Sequence, residues 1–157
     1  MSNAPAPDFA STHRHFSSMC FNQVWSLLDK TNRTQDEDRQ MVLLAFASLY
    51  HWTQRPECAN QQLSVGYWQI SRVHAVLSLP DEALRYADIC NSFSQDLPPF
   101  YRGYALEAVA RAAALAGKIP QARLAYGEAT GLLNEIADAD ERHLLAQDLA
   151  SITLPEN

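Results

Sequence analysis

The chain has 157 residues, 47% of them hydrophobic and 19% charged, a globular balance with enough apolar material for the core of one domain. Its formal net charge of -6 excludes a general nucleic-acid binder, because neutralising phosphates needs a basic surface. The longest strongly apolar run, Met41 to Tyr50, is far short of the ~20 residues a membrane span needs.

Met1 to Ala10 lacks the cationic start and apolar core of a secretory signal, and Pro5 and Pro7 keep it extended as a leader. Residues 11–154 read as a single helical domain. The first helix is expected from Ser11 or Thr12 to Lys30, with Phe16, Cys20, Val24, Leu27 and Leu28 on one stripe and Trp25 beside it. Asn32 and Arg33 form a break. Thr34-Gln35-Asp36-Glu37 is then a capping box, in which the Thr34 hydroxyl accepts from the Glu37 amide and the Glu37 carboxylate accepts from the Thr34 amide. Asp36, Glu37 and Asp38 suit the positive end of the helix dipole rather than a metal. The second helix, to Trp52, is apolar almost all round and is therefore expected at the centre of the fold.

Arg55-Pro56-Glu57 marks the next turn. The third helix runs to Leu77 and stops at Ser78-Leu79-Pro80, with Pro80 in the first turn of a fourth helix from Asp81 to Phe93. Pro98-Pro99 breaks the chain again, and a fifth helix continues to Ala116 and ends at Gly117. A sixth is expected from Pro120 to Ala137. The last begins near Asp138 or Asp140 and ends by Ile152, before Pro155. No segment alternates with the period of a strand, so the fold class is all-α with about seven helices.

Two stretches superimpose with a shift of 39 residues, which carries Ser78 onto Gly117 and Ala83 onto Ala122. Each is a helix, a tight turn and a second helix. One such hairpin cannot bury its own apolar face, whereas stacked copies can. Leu77-Ser78-Leu79-Pro80-Asp81-Glu82-Ala83-Leu84 and Leu115-Ala116-Gly117-Lys118-Ile119-Pro120-Gln121-Ala122-Arg123 resemble the turn of a tetratricopeptide repeat, with Ala83 and Ala122 at its small position. Tyr126, Ala129, Ser71 and Ala110 match further aromatic and small positions. His74 and Ala113 stand where that family has tyrosine, and Ala87 where it has an aromatic. The period exceeds the family's ~34 residues because 94–102 lengthens the connection. The resemblance covers 64–134, and the N-terminal hairpin by analogy. It implies antiparallel hairpins stacked as a short right-handed solenoid, similar to small bacterial proteins of this type.

The resemblance also implies a concave face lined by the first helix of each pair. It carries Trp68 and Arg72 from the third helix, with Tyr104, Glu107 and Arg111 matching them from the fifth. Trp68 with Arg72, and Glu107 with Arg111, are i,i+4 pairs that share a helix face. Two guanidiniums and two aromatics in one groove suit a carboxylate or phosphate on a flat or apolar body. Alternatively, Glu107 pairs with an arginine and braces adjacent repeats.

Tyr50-His51-Trp52 ends the central helix, making His51 and Trp52 candidates for the same cavity. The competing reading makes His51 a dipole-compensating or hydrogen-bonded residue and Trp52 a largely buried packing residue. His74 is expected in the core. His13 and His15 point to different helix faces, so H-x-H here is no metal site. Cys20, Cys58 and Cys90 have no C-x-x-C spacing and read as fillers in a reduced, cytoplasmic chain. No catalytic motif, cofactor or metal is indicated. The expected function is a peptide-binding module for a protein partner carrying an anionic group. The alternatives are a small-molecule pocket bringing Trp25, Trp52 and Trp68 near His51 and Arg72, or a homodimer that fills its own groove.

Overall fold

The computed structural model describes residues 8–155, so most of the expected leader lies outside the described residues. Among the described residues the chain forms seven α-helices, one short 3-10 turn and no strand. The helices are α1 (Phe9–Leu28), α2 (Gln35–Thr53), α3 (Asn60–Val76), α4 (Pro80–Ser94), α5 (Pro99–Leu115), α6 (Ile119–Leu132) and α7 (Ala139–Ala150). None is long and apolar enough to cross a membrane. The chain divides between Cys58 and Ala59 into two compact units.

The first unit holds the α1–α2 hairpin. Helix α1 begins earlier than expected because Asp8 caps it, its carboxylate accepting from the Ser11 amide at 3.1 Å. Helix α2 starts at the capping box read from the sequence, Thr34 and Glu37 each accepting the other's amide. Cys20 and Val24 of α1 are buried, as are Met41, Ala45 and Leu49 of α2, and the Ser48 hydroxyl donates to the Ser17 carbonyl at 2.8 Å. The expectation that an almost wholly apolar α2 is packed on several sides is corrected. Its buried residues form one stripe, while Leu43 is 71% and Tyr50 57% exposed. The arginines Arg14 and Arg55 both hydrogen-bond Glu57 and pull its carboxyl down to about 2.

The second unit holds two hairpins, α3–α4 and α5–α6, and α7. Helix α5 packs against α3, α4 and α7. Alanine makes these close contacts possible: Ala83, Ala110 and Ala122 are all fully buried. Ser71 is buried too, and its hydroxyl donates to the Ala83 carbonyl at 2.8 Å, joining α3 to α4 across their turn.

The 39-residue shift is visible in the backbone. Ser78 and Gly117 both take the left-handed conformation, with φ of 58° and 70°. After each, the next amide reaches back to a carbonyl five residues earlier, Leu79 to His74 and Lys118 to Ala113, both at 2.9 Å. Both helices therefore end in the same Schellman cap. His74 is buried as expected, its Nδ1–H donating to the Ile70 carbonyl at 2.8 Å.

The sixth helix ends earlier than the sequence suggests. It gives way to a 3-10 turn over Leu133–Glu135, and extended backbone at Ile136 then buries that side chain beside Leu145 and Leu149. Asp138 restarts the helix by accepting from the Asp140 and Glu141 amides, both at 2.9 Å. Gly103 lets α7 sit close to α5, since a Cβ there would collide with Leu145 Cδ2.

Candidate functional site

Four side chains at repeat-equivalent positions meet where α3 packs on α5. Trp68 corresponds to Glu107 and Arg72 to Arg111, each pair 39 residues apart. At the centre, Glu107 is fully buried. Its Oε2 accepts the Trp68 indole N–H at 3.1 Å, and its Oε1 accepts from Arg111 Nε at 2.7 Å and Arg72 Nη2 at 3.2 Å. Arg111 Nη2 lies 2.6 Å from the same oxygen. The Nε–Nη2 edge of a planar guanidinium can aim two N–H groups at one oxygen, a fixed fork that a lysine ammonium lacks.

Helix α7 adds a second carboxylate. Asp148 Oδ1 lies 3.1 Å from Arg72 Nη2, and its Oδ2 accepts from the Tyr104 hydroxyl at 3.0 Å. Arg111 Nη2 also donates to the Asp148 carbonyl at 2.9 Å and to the Ser151 hydroxyl oxygen at 2.8 Å. The aromatics complete the packing. Trp68 meets Tyr104 edge-on at 5.4 Å between centroids, and the Arg72 guanidinium lies 5.1 Å from the Trp68 ring centre. Burial, then the Asp148 charge, raises the Tyr104 phenol above its ordinary pKa. Two cations and two anions are thus matched within one cluster, and both arginine side chains are only 16% exposed.

Of the residues selected from the sequence, the structure brings together Trp68, Arg72, Tyr104, Glu107 and Arg111. Asp148 and Ser151 were missed. One signal was available: Asp148 is an acid in the last turn of its helix, where the dipole disfavours it, so it calls for a specific cation.

His51 and Trp52 belong to the first unit. His51 Nδ1 lies 2.8 Å from His13 Nδ1, and its ring stacks on Phe16 at 5.4 Å. Burial, then His13, lowers the His51 pKa. Trp52 is partly buried, and the Arg55 guanidinium covers its ring at 3.5 Å. Of the cysteines, Cys20 and Cys90 are buried and Cys58 partly so. Burial pushes the Cys90 thiol up to about 11.

Beside the ion cluster lies a partly open cavity of about 270 Å³. Its walls come in pairs 39 residues apart from α3 and α5: Arg72 with Arg111, Ala75 with Ala114, and Val76 with Leu115. Ser151, Ile152 and Thr153, just past α7, close a further side. Glu107 and Asp148 hold both guanidiniums at this rim. Among the described residues no three histidine, cysteine or acidic side chains converge as a metal would require. Compared with protein-family models, curated proteins and solved structures, the chain matches none.

Proposed function

We propose that the second unit is a tetratricopeptide-like interaction module that binds a peptide segment of a protein partner and carries out no chemistry. One observation carries this reading: a cavity walled by matched pairs from two repeats, with its two arginines fixed in advance by a buried carboxylate. Side chains already held in place lose little freedom on binding, so such a rim is pre-organised for a ligand. At about 270 Å³ the cavity lies just under the range of small-molecule sites. That size suits one anchoring side chain with its peptide unit better than a nucleotide or a cofactor.

The cluster's own chemistry supports binding over catalysis. Both Glu107 oxygens accept hydrogen bonds, from Trp68, Arg72 and Arg111, and the carboxylate is fully buried, out of reach of a substrate proton. The buried Cys90 thiol, raised to about 11, makes a poor nucleophile. The same contacts favour a second role, because Glu107 ties α3 to α5 and Asp148 ties α7 to both.

The test compares Arg72→Ala, Arg111→Ala and Glu107→Ala in thermal stability and in peptide-library binding. The interaction reading expects the wild-type chain to select a peptide, and Arg111→Ala to weaken it roughly tenfold or more. Three destabilised variants and no selected peptide would leave only the bracing role.

A further inference from the structure

We propose, resting on the interaction-module reading, that the peptide segment anchored in this cavity is uncharged there. It would be an aliphatic side chain whose neighbouring main-chain carbonyl is received by the outer amino groups of Arg72 and Arg111. The hydrogen-bond pattern of the two guanidiniums leads to this. Arg72 engages Glu107 and Asp148 through Nη2 alone. Arg111 engages Glu107, the Asp148 carbonyl and Ser151 through Nε and Nη2. Among the described residues neither Nη1 has an acceptor, and neither is buried away from solvent. Both residues line the cavity, so each offers unused N–H donors at its rim.

Charge decides what those donors receive. Arg72 and Arg111 are balanced by Glu107 and Asp148, so the cluster is electroneutral and a further carboxylate finds no net countercharge. The chain's net charge of -6 also opposes the approach of an anion. A carbonyl oxygen accepts from the same donors without adding charge. The remaining wall is apolar. Ala75 and Ala114 leave room, while Val76 and Leu115, 41% and 49% exposed, present branched surface at the opening. That lining suits leucine or valine and offers no partner to an acidic side chain.

The experiment is a nuclear magnetic resonance titration of the full chain with two capped probes, N-acetyl-leucine methylamide and N-acetyl-leucine carboxylate. The amide signals of Ala75, Ala114 and Thr153 report on the cavity. The neutral probe is expected to move them with at least the affinity of the carboxylate, and with little response to salt. Arg111→Lys retains the charge beside Glu107 but loses the second amino group, and is expected to weaken the neutral probe roughly tenfold. Tighter binding of the carboxylate, weakened by salt, overturns the uncharged anchor and leaves the interaction module standing. Unchanged affinity in Arg111→Lys also overturns it, since the outer amino groups would then not be the receptors. If neither probe moves the three signals, both the anchor and the module reading fall.

Discussion

Replacing Glu107 by glutamine tests whether one buried carboxylate holds the second unit together. The substitution keeps shape but removes the charge facing Arg72 and Arg111, and it puts an amide N–H where one of three donors now finds an acceptor. Removing one member of a buried ion pair costs about 3–5 kcal/mol, most of it from the charge left behind. Here Asp148 still faces Arg72, and both arginines keep 16% exposure, so the lower end, about 3 kcal/mol, is expected. Against a native stability of about 5–15 kcal/mol that is a large fraction. Urea unfolding should show a lower midpoint at unchanged slope, with the difference little affected by salt because the pair is enclosed. Asp148→Asn, at a side chain 32% exposed, should cost less, about 1 kcal/mol. A loss below about 1 kcal/mol for Glu107→Gln would refute the reasoning and reduce the cluster to surface pairing.

Ala122→Leu should overpack the α5–α6 hairpin, where Ala122 is fully buried, and lower stability by about 1–3 kcal/mol; an unchanged melting midpoint would break the repeat register. Gly103→Ala drives a methyl into the buried Leu145 and should cost a similar 1–3 kcal/mol, read by urea unfolding, with the amides of α7 losing hydrogen-exchange protection first. The His13–His51 contact needs at least one bare Nδ1, so a second proton on the pair breaks it. Because the folded His51 pKa lies below its ordinary 6.5, this contribution of about 1 kcal/mol is complete above pH 6.5 and is lost as the pH falls below it. The hydrogen-exchange protection factors of α1 and α2 should therefore fall between about pH 8 and about pH 5, and His51→Phe should abolish that fall.

Local chemistry made much of this fold readable in the sequence. The Thr34–Glu37 capping box, the prolines opening α4, α5 and α6, and the left-handed turns at Ser78 and Gly117 each act within a few residues of backbone. The 39-residue shift also paired Trp68 with Glu107 and Arg72 with Arg111, and the packing of α3 on α5 sets these positions side by side. What the sequence could not determine depends on contacts distant along the chain. Asp148 joins the cluster from α7 and Ser151 from just past its end, which no repeat copy predicts, and the neutrality of the two arginines hangs on Asp148. Ile136 interrupts a segment of good helical pattern because burial against Leu145 and Leu149 outweighs continuing the helix. Along α2, Met41 and Leu43 are equally apolar, yet one is buried and the other exposed. Hydrophobicity states what a side chain would gain from burial, and only tertiary packing decides which side chains obtain it.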